Sequence, residues 1–465
     1  MNPAHGLCAA GFDHPGWRIL IMLFLLRQYG CCRATVMLLA LVSASTIPQR
    51  STAATDMILS EVMQAALIRN QDLEAARSQV NAAMGRLKQA GRWPNTRLDL
   101  SNQSNKVLST GGEFTRSIGF SQNFPIAGRI NRSMDVARVD VASALTEVNE
   151  AERTLLADVA RAYYDIVAID QQISLREKLI TIDKALVRAS AARQKMGEVS
   201  EIDVNTASLE LERLRQQQTV LAGKRAAVLK TLAGLSGFGV EEGLAVNTTL
   251  PAIVPPPPVE ELRRQALSQR PDLRLLSLAA NRARGEQLLA KASAWEDWTV
   301  SLGIERDKLV ITGLPRQSTD TALLLRLSVP IPILNRNRGA QSAAAADAMT
   351  AHYKRSALQM RIENEVTGRH AQVMRLLDAL TAYRDRTLPL SRRTAELARQ
   401  AYRMGQLSIA DVVQAQRQEI DLNASYIDTL AMYLQARADL KTATAGWTTL
   451  MTHPVDTSTD QTGGR

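Results

Sequence analysis

The chain has 465 residues, of which 45% are hydrophobic and 22% are charged, and its formal net charge is +10. Ordinary apolar content and charges of both signs exclude an intrinsically disordered protein. No apolar run reaches the roughly 20 residues that a membrane-spanning helix needs, which excludes a multi-pass helical membrane protein. Aromatic residues make up only 4% of the chain. This composition favours long helices that pack through small side chains.

The N-terminal residues 1–54 predict a secretory signal peptide. An apolar stretch, 34–44, follows Arg33 and precedes small residues, which is the pattern of a signal sequence. We expect cleavage between residues 44 and 54. The alternative is an N-terminal membrane anchor, for which the apolar runs are short. All three cysteines precede the cleavage zone, so the exported chain is expected to have no disulfide and no thiolate metal site.

The remainder of the chain is predicted to contain two copies of one unit. The first copy covers 55–240, a Pro-rich linker covers 241–258, the second copy covers 259–450, and a polar tail covers 451–465. Identical residues recur at a separation of 200 near the start of each copy. They include Glu61 and Glu261, Ala66 and Ala266, Leu67 and Leu267, Asp72 and Asp272, and Leu73 and Leu273.

Each copy is predicted to open with a helix, because apolar residues recur with helical spacing over Leu59–Gln89 and Leu262–Lys291. Two segments of alternating polar and apolar residues follow, and this alternation predicts a pair of antiparallel strands. We expect the strand pairs to turn at Gly111-Gly112 in the first copy and near Gly313 and Pro315 in the second. The predicted strands are Arg97–Ser101, Ser117–Ser121, Thr299–Ile304 and Leu323–Val329.

A long helical hairpin is predicted after each strand pair. In the first copy, periodic apolar residues run from Arg129 to Lys195, which as one helix would measure roughly 100 Å. Met196-Gly197 interrupts this pattern, and a returning helix is expected over Ile202–Leu235. Glycine suits the left-handed cap at which a helix ends, so this turn is predicted to be the tip of the hairpin. A helix of this length favours a bundle or a tube.

Several of the scarce aromatic residues are concentrated around the predicted strands. They are Trp93, Phe114, Phe120, Phe124, Trp295 and Trp298. Strands of about ten residues with alternating apolarity and aromatic ends are typical of outer-membrane β-barrels, where such residues form an aromatic belt. The alternative is a periplasmic strand pair with one half-buried face. Four strands are too few to close a barrel, so several copies of the chain would have to share one.

The strand-to-helix junctions resemble those of TolC-type outer-membrane efflux proteins. The two segments are Phe124–Arg129 and Val329–Gly339, and the second, VPIPILNRNRG, looks like the heavy-metal (CzcC-like) branch of that family. The resemblance extends from about residue 56 to residue 450. The junction residues that carry it are Pro125, Gly128, Arg129, Pro330, Pro332, Asn335 and Arg336.

This resemblance implies a mainly helical fold with a small β part, in which a strand pair and a long helical hairpin occur twice. It implies a homotrimer whose subunits share one 12-stranded outer-membrane β-barrel, continued by a periplasmic α-helical barrel. The implied partners are a periplasmic adaptor (membrane fusion protein), an inner-membrane, proton-driven RND pump and outer-membrane lipid, with no nucleic acid. The implied location is the cell outer membrane, with the helices extending into the periplasm.

The resemblance also assigns the two Met-Gly turns to periplasmic tips, where adaptor contact and closure of the entrance would occur. The residues concerned are Met196, Gly197, Ser200, Asp203, Tyr402, Met404, Gly405, Ser408 and Asp411. Family members can carry arginine and aspartate where this chain has Leu407 and Gln414, which argues against a salt-bridge latch. Asp203 and Asp411 leave two interpretations open. Their carboxylates could form a cation-attracting ring, or they could stabilise the first turn of a helix.

No metal, cofactor or catalytic site is predicted. His352, His370 and His453 lack the spacing of metal ligands. Met196 and Met404 could face copper(I) or silver, or could simply pack the turns. No set of nucleophile, base and orienting residue is recognisable, so we expect no enzymatic activity.

The predicted function is that of a passive exit duct in a tripartite RND-type efflux system. On the resemblance alone, its substrates would be heavy-metal cations such as cobalt, zinc, cadmium or copper and silver. The alternative is a periplasmic coiled-coil adaptor or scaffold protein without a membrane barrel. An adaptor would normally carry one hairpin, so the duplicated strand pair and hairpin favour the channel.

Overall fold

The structure, a computed structural model, describes residues 56–105, 112–239, 243–310 and 319–447. The predictions for the signal peptide, for Gly111, for the turn at Gly313 and Pro315, and for the tail 451–465 lie outside the described residues.

The elements occur in the same order in both halves of the chain, and they confirm a mainly helical fold with a small antiparallel sheet. The first half contains α1 (Leu59–Arg69), α2 (Gln71–Ala90), β1 (Arg97–Ser104), β2 (Phe114–Phe124), α3 (Arg129–Lys195) and α4 (Glu201–Leu235). The second contains α5 (Val259–Gln269), α6 (Pro271–Ala292), β3 (Trp298–Lys308), β4 (Asp320–Ser328), α7 (Arg338–Ala382), a π-helix (Tyr383–Thr387), α8 (Leu388–Arg403) and α9 (Ile409–Ala443).

The opening helix predicted for each copy is in fact two helices, so the prediction of one continuous helix was wrong at this point. Asn70 breaks the first, with extended backbone angles, and its side chain accepts a hydrogen bond from the Leu73 N–H at 3.0 Å. Arg270 breaks the second in the same way. The residue that follows it is Pro271, and proline disfavours helical angles at the residue before it.

The four strands form one antiparallel sheet in the order β1-β2-β3-β4. The central pair, β2 and β3, joins the two copies. Gly119 lies opposite Gly303 in this pair, and a Cβ on either glycine would lie 2.8 Å from a carbonyl oxygen of the other strand. The close approach of the two backbones therefore requires glycine at both positions.

The helices pack through alanine, valine, leucine and isoleucine in two large cores, each formed mainly by one copy. Two buried tyrosines attach the chain segment between the copies to these cores. The Tyr163 hydroxyl donates to the Asn247 carbonyl at 2.6 Å, and the Tyr433 hydroxyl donates to the Val254 carbonyl at 2.7 Å. In the part of the chain that the structure describes, no helix combines the length and apolarity needed to cross a bilayer.

The second copy has one residue more than the first between junction and tip. Pro125 and Pro332 are separated by 207 positions, whereas Met196 and Met404 are separated by 208. The 67-residue helix α3 runs without interruption, but its counterpart contains the π-helix. A π-helical turn holds one extra residue within an α-helix, so it accommodates this insertion.

Candidate functional site

One face of the sheet is strongly apolar. Its large side chains are between 52% and 75% exposed in the single subunit. The strand register aligns them in two rows that cross all four strands. The first row is Leu98, Phe120, Leu302 and Leu325, and the second is Leu100, Ile118, Ile304 and Leu323. So large an exposed apolar surface indicates a face that is covered by lipid or protein.

The opposite face of the same strands is polar. Successive residues of a strand point to opposite faces, so serine, threonine and charged residues occupy this side. Glu305, Asp307 and Asp320 lie at the end of the sheet that is far from the helices, where the Thr115 hydroxyl donates to Asp307. Alternation of this kind, with one apolar and one polar face, is typical of a barrel strand that separates lipid from a lumen.

The structure brings four of the six predicted belt residues together at the end of the sheet nearest the helices. The rings of Trp93 and Phe124 meet edge to face at 6.0 Å, and Phe124 lies opposite Trp298 in the register. Trp295 lies just before β3. The other two are elsewhere. Phe120 lies in the middle of the apolar face, and Phe114 lies at the far end of the sheet, opposite Lys308.

The first predicted junction lies between β2 and α3 and turns through left-handed backbone. Pro125 follows the last residue of β2, which suits a residue that cannot donate a ladder hydrogen bond. Gly128 has φ 69° and caps α3. Arg129, the first residue of α3, forms an ion pair with Asp297 at 2.6 Å. Sequence reasoning missed Asp297, because its partner is 168 residues away along the chain.

The second junction lies between β4 and α7 and contains Pro330, Pro332, Asn335 and Arg336. Its left-handed residue is Asn337, with φ 54°, and the Asn337 side chain donates to the Ala290 carbonyl at 2.9 Å. Asn335 accepts a hydrogen bond from the Asn337 N–H at 2.9 Å. Asparagine tolerates left-handed backbone better than most residues, so the repeated asparagines were the available signal for this turn.

The two hairpin tips have the same backbone conformation. Gly197 has φ 76° and Gly405 has φ 74°, as the prediction of glycine-capped turns requires. Met196 and Met404 precede these glycines and are 65% and 66% exposed. Each tip therefore presents a thioether side chain to its surroundings.

The helix that follows each tip begins with a reciprocal capping box. The Asp203 carboxylate accepts hydrogen bonds from the Ser200 N–H at 2.9 Å and from its hydroxyl at 3.0 Å. The Asp411 carboxylate does the same with Ser408, at 3.2 Å and 2.7 Å. These contacts support the helix-capping interpretation of both aspartates. The proposed carboxylate ring stays a prediction.

Tyr402 lies inside the subunit, where it joins α8 to α3, and not on a surface that could narrow an entrance. It is 3% exposed, and its hydroxyl lies 3.1 Å from that of Ser190. The Arg193 guanidinium lies 4.9 Å from the centre of the tyrosine ring and donates to the Tyr402 carbonyl at 3.0 Å. Arg193 also pairs with Glu198 at 2.9 Å. These contacts connect the two tips.

A buried polar layer joins the two hairpins further along α3, α4 and α9. Gln416 donates to Asp183 at 3.1 Å, and both side chains are buried. Glu210, buried beside them, pairs with Arg213 at 2.5 Å and with Arg417 at 2.8 Å. Burial, and next the Glu210 carboxylate, raise the pKa of Asp183 to about 6. Sequence reasoning missed this layer, because isolated polar residues on a helix usually indicate a solvated face.

Among the described residues, no group of three or more histidine, cysteine, aspartate or glutamate side chains could hold a metal ion.

The family model described as "Outer membrane efflux protein" matches the chain twice, over residues 62–237 and 262–446.

Characterised relatives match most of the chain at low identity. The cobalt-zinc-cadmium resistance protein CzcC of Cupriavidus metallidurans is 21% identical over 389 residues, which are 83% of this chain and 89% of the relative. The toluene efflux pump outer membrane protein TtgF of Pseudomonas putida is 26% identical over 429 residues, which are 86% of each chain.

Solved structures share the fold. A crystal structure of CusC superposes with a TM-score of 0.69 at 18% identity, over 84% of this chain and 92% of the other. The CmeC outer membrane channel of Campylobacter jejuni superposes with a TM-score of 0.66 at 16% identity, over 83% of this chain and 85% of the other.

Proposed function

The chain belongs to the outer membrane efflux protein family, and on that premise we propose that three copies form the passive exit duct of a tripartite efflux system. Family membership confirms the predicted resemblance and places the protein in the outer membrane. It also removes the alternative of a periplasmic adaptor without a membrane barrel.

The observation that carries this proposal is the two-faced sheet. Its apolar face suits lipid, and its polar face suits a water-filled lumen. β1 and β4 are the edge strands of the sheet, and an exposed edge is a template for pairing with another chain. Pairing β1 of one subunit with β4 of the next would close a ring, and three sheets of four strands would give a 12-stranded barrel.

The helical hairpins supply the periplasmic part of the proposed duct. They lead from the junctions at the sheet to the two tips, where Met196 and Met404 are exposed. We assign the tips to contact with a periplasmic adaptor, which would connect the duct to an inner-membrane RND pump. The Met-Gly-x2-Ser-x2-Asp repeat would give each trimer six similar contact points, two from every subunit.

The substrates that we propose are heavy-metal cations such as cobalt, zinc, cadmium, copper or silver. CzcC, by its name a cobalt-zinc-cadmium resistance protein, supports this class. A second support is electrostatic. Glu305, Asp307 and Asp320 lie together on the polar face, and rings of carboxylates favour cations in a pore.

The experiment that tests this function uses the full-length protein purified from outer-membrane extracts and inserted into a planar bilayer. We expect a trimer that forms cation-selective channels. The triple variant Glu305→Gln, Asp307→Asn and Asp320→Asn should still conduct, but with a severalfold lower preference for cations over anions. The control is Thr321→Val, which lies on the other face of β4 at the same level.

A soluble monomer that forms no channels would contradict the proposed duct. The substrate class needs a separate test in cells that lack this protein. We expect such cells to be more sensitive to zinc, cadmium or copper. Sensitivity to organic toxicants alone would contradict the assignment of metal substrates while leaving the duct intact.

A further inference from the structure

Two arginines lie directly opposite each other on the apolar face of the sheet. The register pairs Arg116 of β2 with Arg306 of β3, and both side chains are exposed. They lie one row beyond the apolar row that contains Ile118 and Ile304. Like charges in directly opposed positions of neighbouring strands destabilise a sheet, because their Cβ atoms are only about 5 Å apart. A negatively charged partner would relieve the repulsion between the two guanidinium groups.

The sheet itself does not supply that partner. Arg116 donates from Nε to Asn102 at 3.0 Å, and its guanidinium lies 4.8 Å from the centre of the Phe114 ring. Both contacts orient the guanidinium without neutralising its charge. Within the described ranges, neither Arg116 nor Arg306 forms an ion pair. The neighbouring acidic residues, Glu305 and Asp307, point to the polar face, because successive residues of a strand alternate.

The position of the pair along the strands corresponds to the far edge of the apolar surface. Trp298 marks the other edge, where the aromatic residues gather near the helices. Arg306 lies eight positions after Trp298, which at the rise of a strand is roughly 25 Å along the strand. Barrel strands tilt by about 35–45°, so the height across the membrane is about 20 Å, within an apolar band that is about 25 Å tall. The arginine row therefore lies near the outer edge of that band, where long arginine side chains reach the lipid headgroups.

We propose that Arg116 and Arg306 bind phosphate groups of an anionic lipid in the outer leaflet. This inference rests on the proposed function, in which the apolar face meets lipid. Guanidinium groups hold phosphate oxygens through two parallel hydrogen bonds, and two adjacent arginines match a doubly charged headgroup. Lys308 lies one row further on the same face and adds a third positive charge. The apolar rows beside the pair would contact the acyl chains, which favours a lipid over a free anion.

The test measures binding of bisphosphorylated lipid A by the purified full-length trimer. The variant Arg116→Gln/Arg306→Gln should bind lipid A on the order of tenfold more weakly than the wild type. The matched control is Arg97→Gln/Arg326→Gln, which removes two arginines from the polar face of the same sheet. We expect the control variant to bind lipid A like the wild type.

A competition experiment and a channel measurement distinguish a wrong lipid site from a wrong duct. Equal binding by both double variants would overturn the lipid site. Competition by inorganic phosphate as effective as that by lipid A would also overturn it, because the pair would then be a site for free anions. Channel insertion into a planar bilayer is measured on the same preparations. Absence of wild-type channels would count against the duct itself, whereas normal channels with unaltered lipid binding would count only against the arginine site.

Discussion

The two long hairpins end in tips of the same conformation, but the helices that lead to these tips differ. In the first copy α3 is continuous from Arg129 to Lys195, whereas in the second copy the π-helix Tyr383–Thr387 separates α7 from α8. One extra residue in an ordinary α-helix would rotate everything after it by about 100°. The π-helix takes up that residue within a single turn. Tyr402 consequently still faces α3, and both tips keep the same glycine conformation.

The conformation of each tip and the course of the helix that leads to it are therefore determined separately. Local capping chemistry fixes the tip in both copies, and contacts between hairpins fix the direction of the helix that leads to it.

The largest effect is expected from deleting one residue before the tip. Deleting Lys178 from α3 would rotate Leu179, Ile180 and Asp183 out of their buried positions. We expect a loss on the order of 5 kcal/mol in the free energy of unfolding, or no folded protein. The matched variant deletes Arg386 from the π-helix and replaces Pro389 with alanine, because proline within an uninterrupted α-helix would cost about 3 kcal/mol.

This second variant should convert the π-helix to an α-helix and change the unfolding free energy by about 1 kcal/mol at most. Denaturant unfolding followed by circular dichroism measures both proteins. Equal losses in the two deletion variants would contradict the view that the π-helix absorbs an inserted residue.

An intermediate effect is expected from the buried polar layer that joins the hairpins. The folded protein raises the pKa of Asp183 to about 6 from a value of 3.8, so it holds this proton more tightly than the unfolded chain does. The resulting stabilisation is complete below about pH 4 and is lost as the pH rises through 6. Asp183→Asn should therefore stabilise the protein at pH 7.5, by at most about 3 kcal/mol, and should have little effect at pH 4.

Unfolding curves measured at both pH values test this expectation. Asp378→Asn, on the exposed surface of α7, is the control for the substitution itself. A wild-type protein whose advantage over Asp183→Asn grows with pH would refute the sign of the effect.

The smallest effect concerns the tips themselves. Ser200→Ala and Ser408→Ala each remove the hydroxyl of one capping box. Each should cost about 1 kcal/mol in unfolding free energy, and the two losses should agree within about 0.5 kcal/mol. Unequal losses would show that the two tips are not equivalent. Ser356→Ala, at a half-buried position within α7, controls for the loss of a serine hydroxyl elsewhere on a helix.

Local signals were sufficient to predict the elements with strong periodicity and glycine caps. The bounds of α3 agree with the structure at both ends, because Gly128 and Met196-Gly197 mark them. The break at Arg270 had its signal in Pro271. The sequence did show that the second copy has one extra residue, because the repeat separation changes from 207 to 208 residues. The π-helix was nevertheless missed, because helical periodicity does not reveal where that residue is accommodated.

Long-range contacts could not be predicted from the sequence, for a different reason. The pairing of Asp297 with Arg129 and of Gln416 with Asp183 depends on how helices pack across more than a hundred residues. Arg116 lies opposite Arg306 because of the register in which β2 of the first copy pairs with β3 of the second. The sequence of one copy alone does not determine that register. Capping and periodicity act within a few residues, so they carry no information about such pairs.

The pairing of β2 with β3 links the two halves of the chain. These two strands belong to different copies, yet they pair along all eleven residues of each strand, more than either copy pairs internally. In a chain of half the length, the same ladder would have to form between separate molecules. Because one chain carries both strands, their encounter is intramolecular, which raises the effective concentration of the two partners.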